Sequence, residues 1–451
     1  MRRIFQSFIR TPRFNLSRHS LTRSLETSAR MSVPSEPKNQ HFSVGADGKT
    51  YVDLEFVEEA LGMPAKDGYG WARFESGDKI GPGECYTVLR KLGWGGYSST
   101  WLARDNKTTR YVAVKALTGH YSSLFRQMPH WEPYSFHLLT GDTPTDCSPH
   151  CIKLLDEFVM SGIGSAGQHY CLVTPLYGGD LLEMQSKYKQ DHGRFPPLLA
   201  KRALLHVLRG IAYAHSCGVI HTDIKLNNVF FDTPMTTSEI DLWLDDNPPQ
   251  RHPPEMSTDG VMRTYVSQTL PMIPLDDAFR GTFVLGDFGA AIGASMQTNH
   301  LISVPPHRAP EVYLGAKWGE KVDIWSFGTI VFELVVGERL FQYQYNKVLD
   351  LDETENILFK MICLTGGNNF RAEQLNVSPL AAVYFDEECI LKKNPMLVDY
   401  SFEMMIGRRN FLSEEEVALL AKFLRRCLQL DPLNRPSAKE LLEDPWFDGV
   451  D

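Results

Sequence analysis

The sequence lacks a long apolar stretch, an excess of basic charge and any paired-cysteine pattern. The most apolar run, residues 329–336, is interrupted by Glu333 and is typical of a buried helix, so no membrane span is expected. A net charge of −9 disfavours direct binding to nucleic acid and favours basic partners. Eight cysteines scattered over 451 residues without a secretory signal are typical of reduced thiols.

What remains is typical of a folded soluble protein. Hydrophobic residues make up 43% of the chain and charged residues 22%, and the length suits two or three domains. Cys147, His150 and Cys151 could suggest a metal site, but their spacing is unusual and no second pair is present. A loop with ordinary thiols is the preferred interpretation there.

The first 30 residues differ from the rest, because they contain seven arginines and only one acidic residue, Glu26. An Arg-rich, Ser-rich and acid-poor segment is typical of a mitochondrial presequence. Two alternatives stay open: a disordered basic tail, or an upstream extension if translation begins at Met31. Residues 31–70 form a lead-in punctuated by glycine and proline.

The pattern of hydrophobic residues predicts an α+β protein in two parts. Alternation predicts strands over 86–92 and 100–104, a third strand ending at Lys115 and a fourth over 170–174. Helical periodicity then predicts helices over 200–217, 322–336, 353–364, 414–428 and 438–442. Residues 233–281, rich in aspartate and proline, predict an acidic and partly disordered insertion.

Three short strings occur in one order along the chain: Val112-Ala113-Val114-Lys115, then His221-Thr222-Asp223-Ile224-Lys225-Leu226-Asn227-Asn228, then Asp287-Phe288-Gly289. A glycine-rich segment precedes them, Leu92-Gly93-Trp94-Gly95-Gly96-Tyr97-Ser98-Ser99-Thr100. Each string alone occurs by chance, but the ordered set matches the parts that phosphoryl transfer from ATP requires.

Each of these parts has an expected role in that chemistry. The glycines would let backbone amides approach phosphates, and Lys115 would neutralise them. Asp223 would act as the base for a substrate hydroxyl, with Lys225 holding the γ-phosphate. Asn228 and Asp287 would supply the oxygen ligands that Mg²⁺ prefers. Glu132 is the candidate partner of Lys115, with a solvated acid as the alternative.

These residues resemble the eukaryotic protein kinase superfamily over residues 71–447. The resemblance implies a bilobal fold, with a β-rich N-lobe over 71–174, a hinge over 175–179 and a mainly α-helical C-lobe over 180–447. It also implies that Ala113, Pro175 and Tyr177 contact the nucleotide. Two structural pairings are expected: Asp323 bracing the loop around Asp223, and Arg435 pairing with Glu311.

Three features resemble the SR-protein kinases: the string Leu92–Leu102, the string His221–Lys225, and the insertion after Asn228. That resemblance implies a cytoplasmic and nuclear serine/threonine kinase that is monomeric and phosphorylates arginine/serine-rich proteins such as splicing factors. Three positions depart from the pattern: Thr100, Val304 and Ile362. A LAMMER-like kinase and an ATP-binding pseudokinase or scaffold therefore remain as alternatives.

Overall fold

The structure is a computed structural model, and it describes residues 42–44, 50–52, 56–125, 132–139, 147–192, 194–296, 298–365, 370–398, 400–408 and 411–451. The segment 1–30 and its interpretation as a presequence lie outside the described residues. Of the helices in these ranges, none has the length and apolar character needed to span a bilayer.

The strands in these ranges are β1 (Phe42–Val44), β2 (Thr50–Val52), β3 (Lys79–Ile80), β4 (Tyr86–Trp94), β5 (Ser98–Asp105), β6 (Tyr111–Leu117), β7 (Asp156–Ser161), β8 (Gln168–Pro175), β9 (Tyr177–Asp180), β10 (Val219–Ile220), β11 (Val229–Asp232), β12 (Glu255–Ser257), β13 (Gly260–Met262), β14 (Phe283–Leu285) and β15 (Ile292–Gly293). The helices are α1 (Gly119–Phe125), α2 (Glu132–Leu139), α3 (Leu181–His192), α4 (Pro197–Ser216), α5 (Thr237–Asp246), α6 (Leu275–Ala278), α7 (Pro310–Tyr313), α8 (Lys321–Val336), α9 (Glu353–Leu364), α10 (Ala372–Asn376), α11 (Ala381–Tyr384), α12 (Phe402–Gly407), α13 (Glu414–Cys427) and α14 (Ala438–Leu441).

The chain divides into two units. The first contains the described residues up to Phe125 together with Glu157–Val173 and Asp241–Thr269. Its centre is a six-stranded sheet in the order β3-β4-β5-β6-β8-β7. β-Branched and aromatic side chains favour these strands, and the core beneath them includes Val88, Trp101, Val114 and Val173. The predicted β-rich part is confirmed.

The insertion is ordered, which corrects the expectation that part of it is disordered. The structure describes every residue of 233–281, and its segment 241–269 belongs to the first unit. Composition was misleading because acidic residues of the insertion find cationic partners. Asp241 accepts from Arg104 at 3.3 Å and from the Tyr111 hydroxyl, and Asp259 accepts from Arg73. Leu270 and Ile273, which follow this segment in the insertion, are buried.

A buried lysine joins three distant segments of the first unit. Lys91 of β4 is fully buried and its ammonium donates to Glu58 and Glu59, and to the Tyr265 carbonyl at 3.3 Å. Glu58 in turn accepts from the Ser267 amide at 2.8 Å. Burial raises the pKa of Glu59. The segment before the sheet and the insertion are therefore held to the same strand.

The second unit contains the described residues of 132–156, Thr174–Ile240 and Leu270–Asp451, and it is mainly helical. Pro197 occupies the first turn of α4, where its missing N–H costs nothing. α8 is buried over almost all of its length and ends at Gly337, whose φ of 81° suits a glycine C-cap. The five helices predicted from periodicity are confirmed to within three residues at each end.

The predicted pairing of Arg435 with Glu311 is confirmed. Arg435 is fully buried and donates two hydrogen bonds to the Glu311 carboxylate, at 2.6 and 2.7 Å. Its remaining donors reach the carbonyls of Gln429 at 2.8 Å and Lys321 at 3.0 Å. Since every part of the guanidinium has an acceptor, the ion pair is satisfied within the core.

We expect Arg435→Ala to lower the free energy of unfolding by about 3–5 kcal/mol, because it leaves the Glu311 carboxylate buried without its cation. Arg425→Ala is the matched control. Arg425 makes the same two-point contact with Glu403, at 2.6 and 2.5 Å, but its side chain is 45% exposed. Its loss should cost about 1 kcal/mol or less. Equal losses for the two variants in urea titrations would contradict this account.

Candidate functional site

The glycine-rich segment forms the turn between β4 and β5. Gly93 pairs with Thr100 and Trp94 with Ser99, and the Gly95 amide donates to the Ser98 carbonyl at 2.8 Å. The tip is held from two sides. The Trp71 indole donates to the Gly95 carbonyl at 3.3 Å, and the Thr118 amide donates to the Tyr97 carbonyl at 2.8 Å. The expected hairpin is present, and its contact with phosphates stays a prediction.

Nothing in the local packing requires glycine at this tip. A Cβ added to Gly93, Gly95 or Gly96 would meet no atom within 4 Å, and none of the three has a positive φ. Glycine is therefore required neither by a neighbouring side chain nor by backbone strain. The space beside these glycines is open, so a ligand could approach the backbone closely there.

Lys115 lies on β6, directly opposite Thr100 of β5. Ala113, two residues earlier on the same face, pairs with Leu102. The hairpin and the lysine thus come from three adjacent strands of one sheet. Lys115 belongs to the first unit and Glu132 to the second. Their pairing therefore stays a prediction.

The residues around Asp223 form a compact cluster in the second unit. Lys225 donates to the Asp223 carboxylate at 2.7 Å. The Asn228 side-chain amide donates to the Asp223 carbonyl at 2.8 Å and to its carboxylate at 3.2 Å. The carboxylate is about one-fifth exposed, so it is held in place and still reachable from solvent.

A three-stranded sheet brings Asn228 and Asp287 together. β11 begins directly after Asn228, β14 ends two residues before Asp287, and the two strands pair with Val229 opposite Leu285. The Gly286 amide donates to the Asn228 carbonyl at 2.8 Å. Asp287 has φ 56°, an unusual value for a residue other than glycine. The expected pair of oxygen-bearing side chains is therefore placed by one sheet.

Asp323 braces the loop that carries Asp223, as expected. Its fully buried carboxylate accepts from the backbone amides of His221 and Thr222, both at 2.8 Å, and contacts His215 Nε2 at 2.9 Å. Thr222 has φ 66°, a strained value for a β-branched residue. The strain persists because both neighbouring amides are tied to one carboxylate.

Helix α2 packs on the segment that carries Asp287. Phe136 of α2 lies 6.1 Å from Phe288, and Phe288 lies 4.7 Å from His221, measured between ring centroids. Glu132, the first residue of α2, is buried, and a Cβ on Gly289 would lie 3.7 Å from its carboxylate. Pro133 sits in the first turn, where proline is tolerated. Glu132 is thus no solvated acid.

The two predicted hinge residues lie at the junction of β8 and β9. Pro175 ends β8 and has no N–H to donate. Tyr177 begins β9, where it pairs with Asp232 and stacks on Phe230 at 5.7 Å, and burial raises its pKa. Leu176, which the sequence interpretation omitted, lies outside both strands.

Sequence reasoning also missed two residues of the segment 302–308. The Ser303 hydroxyl donates to the Thr222 carbonyl at 2.6 Å. The Arg308 guanidinium donates to the carbonyls of Ile302 and Ser303, at 2.9 and 2.8 Å. Val304, one of the three positions that depart from the SR-protein kinase pattern, therefore follows a residue whose hydroxyl reaches the loop that carries Asp223. The one available signal was that Arg308 lies three residues before Glu311, the expected partner of Arg435.

Comparison with known proteins agrees with this arrangement. The family model for the protein kinase domain matches residues 86–447. A serine/threonine-protein kinase SRPK of Physarum polycephalum is 29% identical over 81% of this chain and 86% of its own length. A serine/threonine protein kinase of Aspergillus fumigatus is 30% identical over 80% of this chain and 84% of its own length.

A more distant relative and a solved structure extend the comparison. The protein kinase dsk1 of Schizosaccharomyces pombe is 24% identical over 80% of both chains. The crystal structure of a kinase domain superposes with a TM-score of 0.58 at 21% identity, covering 84% of this chain and 99% of that one. At that identity the likeness supports the fold. The family match over residues 86–447 and the similarity to the curated relatives show that this chain belongs to the protein kinase family, as a serine/threonine kinase that resembles the SR-protein kinases.

Proposed function

We propose that the chain transfers the γ-phosphate of ATP to serine hydroxyls in arginine/serine-rich proteins, with Asp223 as the base. The observation that carries the catalytic assignment is the hydrogen-bonded state of Asp223. One carboxylate oxygen accepts from both Lys225 and Asn228, so the second oxygen is left to accept a proton from a substrate hydroxyl.

In this proposal the phosphates of ATP are bound by the hairpin 92–100 and by two lysines. The hairpin 92–100 offers backbone amides with no side chain in the way, and Lys115 offers one positive charge from the adjacent strand. Lys225 would hold the transferring group close to Asp223. Glu132 would orient Lys115, and the backbone around Pro175 and Tyr177 would receive the adenine.

The donor set at Asn228 and Asp287 fits Mg²⁺. The Asn228 side-chain nitrogen donates to Asp223. The side-chain oxygen, Oδ1, is therefore left to serve as a metal ligand, together with the Asp287 carboxylate. Mg²⁺ commonly binds through one or two carboxylates, with waters and phosphates completing the shell. When bound, it would neutralise charge that develops on the phosphate oxygens.

We expect Asp223→Asn to reduce peptide phosphorylation at least about 100-fold, because the side chain keeps its shape but loses its basicity. ATP affinity, measured by calorimetry, should change little. Asp287→Asn is the contrasting variant, since Asn tolerates the positive φ found there. It should weaken binding of Mg-ATP while leaving binding of metal-free ATP unchanged.

The two variants separate the two roles. Near-normal turnover by Asp223→Asn would overturn the assignment of the base. Unchanged Mg-ATP affinity in Asp287→Asn would overturn the assignment of the metal ligand without touching that of the base.

The proposed substrate class rests on the similarity to the SRPK relative and on acidic residues at the start of α9. These acidic residues differ in whether their carboxylates already have partners within the chain. Asp352 caps α9 by accepting from the amides of Thr354 and Glu355, both at 2.8 Å. Glu355 accepts from the Asp352 amide at 2.8 Å and pairs with Lys393 at 2.9 Å. Both serve the helix itself.

Glu353 is the acid left to meet a basic substrate. It is partly exposed at the first position of α9 and has no ion-pair partner among the described residues. Nearby Asp350 is 77% exposed and lies 3.8 Å from Lys393. We therefore propose that Glu353 contributes to the docking of arginine-rich peptides.

We expect Glu353→Lys to raise the KM for an arginine/serine peptide about two- to fivefold at low salt, the size of one exposed charge pair. The KM for ATP should not change, and the difference should shrink as salt screens the charges. Glu414→Lys is the matched control, since Glu414 holds the same first position after a capping box in α13. If both variants show the same KM, arginine-rich docking at α9 is wrong.

A further inference from the structure

A cavity of about 290 Å³ lies in the first unit, and no residue of the hairpin 92–100 lines it. Its walls come from four parts of the chain: Glu59 and Leu61, the segment 72–75, Trp101 of β5, and the insertion around β12 and β13. None of the residues assigned to phosphoryl transfer lines it. It has no role in the proposed function.

Three arginines line this cavity, and Arg73 and Arg263 have N–H donors available to a ligand. Arg73 donates through Nη2 to Asp259, but its Nε is buried and has no hydrogen-bond acceptor in the described part of the chain. Arg263 is exposed and, within the described ranges, has no ion-pair partner. A buried guanidinium N–H without an acceptor is unfavourable unless a ligand supplies one.

The third arginine is already oriented. Arg251 donates to Glu75 and to the Tyr265 hydroxyl, and its guanidinium stacks on the Tyr265 ring at 4.0 Å. Its Nη2 makes both contacts, so its other nitrogen donors are not committed to them. The cavity therefore presents planar guanidinium groups with several N–H donors, from the segment 72–75 and from the insertion, a geometry that matches phosphate oxygens.

The two glutamates that line the cavity do not neutralise the positive charge of these arginines. Glu59 is paired with the buried ammonium of Lys91, and burial raises its pKa. Glu75 accepts from Arg251 and from the Tyr265 hydroxyl. Arg263 and the free edge of Arg73 are left with donors for an anion.

One wall of the cavity is apolar and aromatic. Trp101 packs edge-on against Phe74 at 5.5 Å and against Tyr265 at 5.8 Å, and all three rings are largely buried. Val261 and Met262 of β13 contribute further apolar surface. An occupant would thus present a charged end to the arginines and a small hydrophobic part to this wall.

We propose that this cavity binds a phosphate monoester with a small apolar body, either a free metabolite or a phosphorylated side chain. The dianionic group would accept from Arg73, Arg251 and Arg263, while the rest of the ligand would contact the aromatic wall. Since the arginines come from the segment 72–75 and from the insertion, binding would tie these two segments together and stabilise the first unit.

The test is calorimetric titration of the full chain, with the nucleotide site saturated by a non-hydrolysable Mg-ATP analogue and the ionic strength fixed. Phenyl phosphate should bind saturably, at least about tenfold more tightly than inorganic phosphate, and phenol should not bind. A phosphoserine peptide that displaces phenyl phosphate identifies a phosphorylated side chain as the source. Failure to displace it identifies a small molecule.

Arg263→Gln should weaken phenyl phosphate binding at least about fivefold without changing the kinase activity, since it is exposed and outside the catalytic residues. Arg73→Gln should weaken the binding of phenyl phosphate further. If the Arg73→Gln protein does not fold, Arg263→Gln still decides the test. Arg280→Gln is the control, because its side chain is 74% exposed in the second unit. Absence of saturable binding, or equal weakening by Arg280→Gln, would overturn the proposal.

Discussion

The buried carboxylate of Asp323 is the constraint on which the candidate site depends. It is fully buried, and it satisfies two consecutive backbone amides, those of His221 and Thr222. Because these amides point to one acceptor, Thr222 is held at a positive φ that its branched side chain disfavours. The next residue is Asp223, so the direction of its carboxylate is set by this strained turn.

Further contacts converge on the same turn from other parts of the second unit. The Thr222 hydroxyl donates to the Ala290 carbonyl at 2.8 Å, and the Ser303 hydroxyl donates to the Thr222 carbonyl at 2.6 Å. The segments after Asp287 and before Ala309 are thereby tied to the loop that carries Asp223. Thr222 carries no charge, so these contacts are neutral hydrogen bonds. They do not require a phosphorylated residue to neutralise a charge at this position.

The first unit shows a second constraint of the same kind. Lys91 has no exposure to solvent and is satisfied by two glutamates from before the sheet and a carbonyl from the insertion. Removing the segment that carries the two glutamates would leave the Lys91 ammonium buried without an ionic partner, and removing the insertion would take away the Tyr265 carbonyl to which it also donates. The insertion is therefore part of the unit's folded structure, although it enters the chain more than 100 residues after β6.

Much of this arrangement could be predicted from the sequence. Helix α9 occurs at its predicted bounds, and Asp223, Asn228 and Asp287 were found because their spacing encodes local loops. Contacts between distant segments left no such signal. Nothing in the residues 241–269 indicated that Asp241 would meet Tyr111, or that Tyr265 would meet Lys91, because those contacts depend on tertiary packing. For the same reason, composition wrongly predicted partial disorder there.

The measurement that tests the central claim most directly is turnover by Asp323→Asn, compared with its nucleotide affinity and folded state. An asparagine can accept at one oxygen only, so it cannot satisfy both amides and the strained turn should relax. The account predicts a loss of peptide phosphorylation of at least about 100-fold, roughly 2.7 kcal/mol in the barrier, with ATP affinity and circular dichroism preserved. Turnover close to that of the parent in a folded Asp323→Asn protein would contradict it.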